Sequence, residues 1–215
     1  LTVPTFAQQL EEVVVTASKR AENLQDIPQA VTAFSSERLV ELGIVETSDL
    51  MGAVPNIQVT SAYGRTQPNF SIRGISVANE FSAATASPVG VYVDEVYQSF
   101  RASHGQQLFD LESVEVLRGP QGTLYGRNTT GGAVNVNTIK PSLGEGASGF
   151  LNVRLGNYSY ADFTGAVEAT IIPDVLGVRL SGAVSEADGY VDNTLLGTDH
   201  PQTSSTAGRL SVLWR

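Results

Sequence analysis

Residues 110–139 read DLESVEVLRGPQGTLYGRNTTGGAVNVNTI, a β-rich stretch that is crowded with glycine. The glycines are Gly119, Gly122, Gly126, Gly131 and Gly132. Glycine adopts backbone conformations that residues with a Cβ atom resist, so turns at these positions depend on the sequence itself. The stretch therefore specifies one particular compact shape.

The same stretch resembles the signature of the plug domain of TonB-dependent outer-membrane receptors. Other blocks resemble that family in the expected order: a TonB box (EEVVVTASKR, 11–20), the plug start (IPQAVTAFSSERL, 27–39), a mid-plug strand (PNFSIRGI, 68–75) and a continuing strand (VGVYVDEVY, 89–97). The resemblance covers about residues 11–141. It implies location in the outer membrane of a Gram-negative bacterium and a plug that gates a barrel.

The composition of the chain disfavours several other classes of protein. With 215 residues, 41% of them hydrophobic, the chain is long enough to bury the core of one large or two small domains. It has no cysteine, so no disulfide, thiolate zinc site or catalytic thiol is available. The net charge of -9 and the scattered basic residues disfavour a nucleic-acid partner. No segment approaches the roughly 18 apolar residues of a membrane helix, so a membrane crossing would require strands.

The first two-thirds of the chain predicts a tail followed by an α+β domain. Residues 1–10 are interpreted as the remnant of a secretory signal or as a flexible tail, and residues 11–26 as an exposed TonB box with its linker. Residues 27–141 are predicted to form the plug domain. Within it, Ser35 or Ser36 is expected to cap a helix that ends near Gly43.

A second short helix is predicted to end before Pro55, because proline disfavours a helical residue ahead of it. Short strands are expected at about 56–60, 69–74, 89–97, 113–118 and 133–139. Their mixed order, without a repeating βαβ unit, predicts a small α+β domain.

After a small-residue linker at 142–149, the pattern changes to strict alternation of apolar and polar residues. Four such runs within residues 147–215 have the length and period of tilted membrane strands. The connection around Pro173 is short and that at 186–205 is long and polar, as in outer-membrane barrels. A soluble β-sandwich with one wet face gives the same alternation, and the pattern alone leaves both open.

Behind a plug-like domain, the barrel is the better interpretation. The fold class expected is therefore an α+β plug domain followed by antiparallel transmembrane β-barrel strands in contact with outer-membrane lipid. Because the smallest such barrels have about eight strands, four strands imply an incomplete barrel and a chain that is part of a longer protein.

Residues 12–18 carry the strongest functional prediction. An extended segment can add as a strand to the edge of a partner's sheet through its backbone groups. The resemblance implies that the partner is the periplasmic domain of TonB. The predicted TonB-binding residues are Glu12, Val13, Val14, Val15, Thr16, Ala17 and Ser18; an ordinary strand with no signalling role is the alternative.

Two arginines resemble family positions that lock the plug to glutamates of the barrel wall. These are Arg73, in the Ser71–Gly74 turn, and Arg118, before Gly119. A guanidinium suits a lock because it stays charged and binds carboxylates through two hydrogen bonds. The alternative is that each arginine satisfies local backbone carbonyls.

Ligand is expected to meet the extracellular tips of the plug. Candidate substrate-binding residues combine aromatic faces with cations: Tyr63, Arg65, Phe81, Phe100, Arg101 and His104. Such side chains suit an anionic ferric chelate, a sugar or a corrin ring. The resemblance implies a small-molecule ligand, most commonly a ferric siderophore, with cobalamin, haem and oligosaccharides as alternatives.

Catalytic and cofactor motifs are not found. The glycine-rich stretch lacks a Walker lysine, and His104 and His200 have no spaced partner for a metal site or triad. No cofactor and no metal site are therefore expected. Two other functions remain open: a soluble secreted ligand-binding module of α+β plus β-sandwich type, and a glycan-binding or glycan-hydrolysing protein using the paired acids at 94–95 or 110 and 112.

Overall fold

The computed structural model describes residues 14–15, 19–20, 22–23, 25, 27–61, 67–77, 79, 85–144, 146–193, 198–200 and 203–215. In chain order, the elements before residue 140 are β1 (Val14–Val15), β2 (Glu22–Asn23), β3 (Ala30–Ser35), α1 (Ser36–Glu41), a 3-10 turn (Thr47–Asp49), α2 (Leu50–Ala53), β4 (Ile57–Thr60), β5 (Asn69–Ile72), β6 (Val89–Val93), β7 (Val96–Tyr97), a 3-10 turn (Arg101–Ser103), β8 (Leu111–Arg118), α3 (Gly122–Tyr125) and β9 (Gly132–Thr138). The elements after it are β10 (Ala147–Leu155), β11 (Ala161–Ile172), β12 (Leu176–Ala187), β13 (Val191–Asn193), β14 (Thr198–His200) and β15 (Thr203–Trp214).

Helix α1 begins and ends where the sequence predicts. The Ser35 hydroxyl accepts a hydrogen bond from the backbone N–H of Arg38 at 3.4 Å, which caps the first turn. Gly43 has a φ of +66°, the left-handed conformation with which many helices end. These local signals place α1 directly after β3.

The elements from β3 to β9, which we call the first domain, are built on a five-stranded sheet. Its strand order is β3-β8-β9-β6-β7, with β6 and β9 parallel and the other pairs antiparallel. Helices α1 and α2 and the β4–β5 hairpin pack on one face over a core that includes Leu50, Phe70, Val91, Val116 and Val134. The sheet with its helices forms the predicted α+β fold.

The opposite face of this sheet holds a smaller cluster. Ile27, Tyr92, Leu117, Tyr125 and Ala133 pack together there. The Tyr92 hydroxyl donates a 2.6 Å hydrogen bond to the carbonyl of Tyr125. Alternate residues of β8 and β9 therefore serve two different apolar layers, as the two-residue period of a strand requires.

One predicted strand, 89–97, is interrupted. Asp94 and Glu95 have φ values of +47° and +67° and form the turn between β6 and β7. The predicted strand at 89–97 includes these two acids, whereas in the structure they separate two strands. The Asp94 carboxylate instead accepts hydrogen bonds from the backbone N–H and the hydroxyl of Thr138, at 2.9 and 2.8 Å.

Strands β10, β11, β12 and β15 form an antiparallel meander in that order, which we call the wall. The short turn after Ile172 joins β11 to β12, whereas the long connection before β15 contains the small hairpin β13–β14. The asymmetry of the two loops is that predicted from the sequence. Strands β10 and β15 pair on one side only within the described part of the chain, so the sheet is open.

The wall exposes its apolar face and buries its polar face, the reverse of a sheet in a water-soluble protein. The apolar face is exposed, with Leu151, Val167, Leu210 and Trp214 between 60% and 79% accessible. The polar face is buried against the first domain: Asp162, Arg179, Ser181 and Ser185 are each at most 6% exposed. A water-soluble sandwich buries its apolar faces between its sheets, so this arrangement disfavours that alternative.

In the described ranges, the structure contains no helix that is both long and apolar enough to span a membrane.

Candidate functional site

The contact between the first domain and the wall centres on a segment just before β8. Asp110 lies there with a φ of +52°, and its side chain is 1% exposed. The guanidinium of Arg179, on β12, binds this carboxylate through Nε at 2.9 Å and also through Nη2. Paired bonds of this kind are among the strong charge-assisted contacts of proteins.

A second carboxylate completes the Arg179 environment. Nη1 of Arg179 donates to Glu168 on β11 at 2.9 Å, and the two residues are cross-strand partners. Glu168 also accepts a 2.8 Å hydrogen bond from the hydroxyl of Ser148 on β10. Three strands of the wall thus hold one buried cation in place, facing Asp110.

Arg209, on β15, contacts the same segment from the next strand. Its guanidinium donates to the carbonyls of Phe109 and Asp110 at 3.4 and 3.2 Å, and its Cζ lies 4.6 Å from the centroid of the Phe109 ring. Such a stacked cation adds attraction to the ring face. The Ser205 hydroxyl, also on β15, donates to Gln107 at 3.3 Å.

We call Arg179 and Arg209, with their contacts to Phe109 and Asp110, the arginine clamp. The sequence places both arginines on the polar face of alternating strands, but their partner lies 69 residues before Arg179. An acid just before β8 carries no signal of its own. The alternation of apolar and polar residues along β12 and β15 could have indicated that these arginines face the first domain. It could not have indicated which residue they bind.

The predicted lock arginines lie near each other. Arg73 sits in the turn after β5 with a φ of +53°, exposed, and its Nη1 lies 3.3 Å from the position that a Cβ atom on Gly119 would occupy. Arg118, next to Gly119, is half-buried, and its Nε is buried without a hydrogen-bond partner among the described residues. Neither arginine makes an ion pair with a carboxylate in the described part of the chain. Their role as a lock stays a prediction.

The predicted TonB box is described only at its centre. Val14 and Val15 form β1, which pairs antiparallel with β2, Val14 opposite Asn23 and Val15 opposite Glu22. Glu12, Val13, Thr16, Ala17 and Ser18 lie outside the described residues. The box was expected to be an unpaired tail; at its centre, one edge of the strand is paired within the chain.

Lys19, between β1 and β2, contacts the first domain. The ammonium of Lys19 lies 5.5 Å from the centroid of the Tyr125 ring, within the range of a cation–π contact. Tyr125 belongs to the tyrosine cluster with Tyr92, and burial raises the pKa of its hydroxyl, which therefore stays neutral. The contact joins the hairpin of β1 and β2 to α3.

The candidate ligand-binding residues separate by burial. Tyr63, Arg65 and Phe81 lie outside the described residues. Phe100 is 64% exposed, whereas Arg101 and His104 are 5% and 2% exposed. Of the three described, only Phe100 presents its side chain to solvent in this conformation.

His104 has a structural environment. Its Nε2 is 2.9 Å from the carbonyl of Gln98, and its own carbonyl accepts a 2.8 Å hydrogen bond from the hydroxyl of Thr47. Burial lowers the pKa of His104 below its usual value, so the ring is neutral at pH 7. These contacts connect the loop after β7 to the 3-10 turn before α2.

Together, these features define a class: an α+β domain seated on the polar face of an open membrane-type β-sheet, preceded by a short two-stranded hairpin, β1–β2. A family model for the TonB-dependent Receptor Plug Domain matches residues 23–133, more than half of the chain. The chain therefore belongs to the TonB-dependent receptor plug-domain family. Its fold is the predicted one, a plug followed by part of a barrel, and its location is the outer membrane of a Gram-negative bacterium.

The chain is similar to several known proteins. The pesticin receptor of Yersinia pestis is 34% identical over 138 residues, which cover 64% of this chain and 20% of that protein. The iron-regulated outer membrane virulence protein of Vibrio cholerae is 29% identical over 142 residues, covering 60% and 20%. The crystal structure of the ferric yersiniabactin uptake receptor FyuA from Yersinia pestis matches with a TM-score of 0.76 and 26% identity, covering 86% of this chain and 28% of that one. The chain spans about a fifth of the length of the curated relatives that it matches.

Proposed function

We propose that this chain supplies the plug and the first wall strands of a receptor that imports a ferric siderophore across the outer membrane, driven by TonB. The observation that carries the proposal is the inverted wall, with apolar side chains exposed and polar side chains buried against the plug. The division proposed is a tail at 1–10, the TonB box and linker at 11–26, the plug at 27–141 and wall strands at 147–215.

The iron-chelate ligand is supported by the names of similar proteins. One is an iron-regulated outer membrane protein and another a ferric yersiniabactin uptake receptor. On this chain, the exposed ring of Phe100 offers an apolar face beside the β7 loop. Aromatic faces suit the conjugated groups that many iron chelators carry.

The proposed mechanism uses strand addition. Strand β1 pairs with β2 along one edge. The TonB periplasmic domain would add its strand in one of two ways: along the other edge of Val14 and Val15, or in place of Glu22 and Asn23 after displacing β2. Pulling on β1 would act on the plug through the hairpin and its contact between Lys19 and Tyr125. No bond of the ligand is made or broken, so the protein is proposed to be a transporter and not an enzyme.

One acid of each pair that could suggest hydrolysis is occupied by a structural partner. Asp94 accepts hydrogen bonds from Thr138, and Asp110 binds Arg179. A glycosidase needs one carboxylic acid and one carboxylate facing a shared cleft. These contacts favour transport over the glycan-hydrolysing alternative.

The test is growth of a strain deleted for the receptor gene under iron starvation. Plasmid-borne receptor is supplied with ferric yersiniabactin, a ferric catecholate, ferripyoverdine, ferric alcaligin, vitamin B12 or haem, each in turn. The proposal predicts rescue by at least one iron chelate, and only in cells that have TonB. Rescue by none of the iron compounds, or rescue without TonB, would contradict it.

A variant tests the box. Val14→Pro removes a backbone donor from β1 and should abolish uptake while ligand binding to the purified receptor stays unchanged. Val14→Thr keeps the donor and the β-branched shape and serves as the matched control, with uptake retained. Normal uptake by the proline variant would refute the assignment of the box.

A further inference from the structure

The arginine clamp is built from the wall rather than from the plug. The lock that the sequence suggested uses plug arginines and wall glutamates, whereas here wall arginines bind a plug carboxylate and plug carbonyls. We propose that the arginine clamp is the seat of the plug: it holds residues 107–110 on the wall and keeps the lumen closed before TonB acts. This inference rests on the proposed function, because a seat has this meaning only in a gated barrel.

Burial gives the clamp its strength. The side chains of Asp110 and Arg179 are 1% and 7% exposed, so little water screens their attraction. A buried ion pair that loses one partner leaves the other charge uncompensated, which is far more damaging than loss of a surface pair. Removing either residue should therefore loosen the segment.

Contacts from neighbouring wall strands converge on the same segment of the plug. The segment 107–110 is contacted from β12 by Arg179 and from β15 by Arg209 and Ser205, while Glu168 of β11 fixes the Arg179 head group. A seat that spans several strands resists sliding along any one of them. The positive φ of Asp110 projects its side chain out of the line of β8 and toward the wall cation.

The neighbouring contact between α1 and the wall is loose by comparison. A cavity of about 290 Å³ separates them, lined on the plug side by Ser36 and Leu39 and on the wall side by Asn152 and Arg154. Asp110 and Arg179 also line this cavity. In this region the plug therefore contacts the wall at the arginine clamp, whereas a cavity lies between α1 and the wall.

The chain offers a matched control. Arg154 is another wall arginine, on β10, but its partner is Asp162 of the wall itself, at 3.6 Å. Arg154→Gln therefore removes a wall cation without removing a clamp contact, and any loosening caused by the uncompensated carboxylate of Asp162 is expected in β10 and β11 and not over residues 107–118. Asp110→Asn is the sharpest clamp variant, because asparagine is isosteric and also tolerates a positive φ, so the shape is kept while the charge and one of the two acceptor oxygens are lost.

The experiment compares wild type, Asp110→Asn, Arg179→Gln, the double variant and Arg154→Gln in the complete receptor. Hydrogen exchange of the purified receptor is followed by mass spectrometry, and sensitivity to vancomycin is measured in cells that lack TonB. Both clamp variants should exchange at least about tenfold faster over 107–118 and should be more sensitive to vancomycin, with Arg154→Gln matching wild type in both. The double variant should be less impaired than the sum of the two single variants.

Unchanged exchange and unchanged vancomycin sensitivity in both clamp variants would overturn the inference, as would equal changes in Arg154→Gln. Faster exchange without antibiotic entry would also overturn it, because the clamp would then stabilise the segment without closing the lumen. Neither readout uses TonB or a siderophore. Failure of the clamp is therefore distinguishable from failure of the proposed uptake, which is scored by growth.

Discussion

The close approach of β9 to β8 can be tested at Gly132. An added Cβ atom would lie 2.3 Å from the carbonyl oxygen of Leu117 and 2.8 Å from Cδ1 of Ile72. Carbon and oxygen atoms ordinarily approach to about 3.3 Å, so the strands would have to separate by about 1 Å. Overpacking of this kind costs about 2 kcal/mol, and the obstacle is backbone that no side-chain rotation relieves.

A glycine-to-alanine substitution stabilises where the added Cβ atom fits and destabilises where it clashes, so the direction of the stability change tests the close approach. Where alanine fits, replacing glycine in a regular element stabilises by about 0.5–1 kcal/mol, because the unfolded chain loses freedom. Gly122, in α3, is the matched control, because a Cβ atom added there would meet no neighbouring atom within 4 Å. We expect Gly132→Ala to destabilise and Gly122→Ala to be neutral or stabilising.

Hydrogen exchange over 111–118 and 132–138 in the purified receptor measures the difference. A loss of about 2 kcal/mol corresponds to roughly 30-fold faster exchange of the protected amides, since about 1.4 kcal/mol is tenfold. Equal exchange in the Gly132→Ala and Gly122→Ala receptors would refute the close approach, and with it the idea that this glycine fixes the pairing of β8 with β9.

Three further predictions concern the exposed Phe100, the buried His104 and the lipid-facing side of the wall. Phe100→Ala should weaken binding of the siderophore that rescues growth by roughly tenfold, whereas Met51→Ala, an equally apolar change on α2, should not; equilibrium titration of purified receptor compares them. Because burial lowers the folded-state pKa of His104, its contribution to stability is present above the unfolded value of about 6.5 and is lost as the pH falls below it. The protection of residues 98–104 from exchange, corrected for the intrinsic pH dependence of amide exchange, should therefore fall between pH 7 and pH 5 and should not do so in His104→Asn. Leu180→Arg on the exposed face of β12 should reduce assembled receptor in outer-membrane fractions, at a cost of about 2–4 kcal/mol, whereas Leu180→Phe, which keeps that face apolar, should be tolerated.

The sequence predicts the elements whose signals are local. The two-residue alternation of β10, β11, β12 and β15 gives the strand faces directly, because each side chain reports its own environment. The cap at Ser35 and the left-handed Gly43 likewise depend only on neighbouring residues. Helix α3, by contrast, is a single turn among glycines, and its composition favours a loop.

The arrangement of the site depends on distant residues and is less predictable. Asp110 and Arg179 are 69 positions apart and come from different domains, so no spacing rule joins them. The 3-10 turn that buries Arg101 and His104 is set by contacts to Thr47 and Gln98, again outside the loop's own pattern. A loop rich in cations and aromatics thus predicts a surface, and the tertiary contacts decide which of its side chains reach it.

The central claim is that the apolar face of the wall meets lipid while the polar face holds the plug. Single cysteines at Leu210, Ser211 and Val212 of β15, in a receptor otherwise free of cysteine, can each carry a small fluorophore in bilayers. The account predicts quenching by lipid-borne quenchers at 210 and 212 and not at 211. Shielding of 210 and 212 from both lipid-borne quenchers and aqueous iodide would place those side chains in a protein interior and would contradict the account.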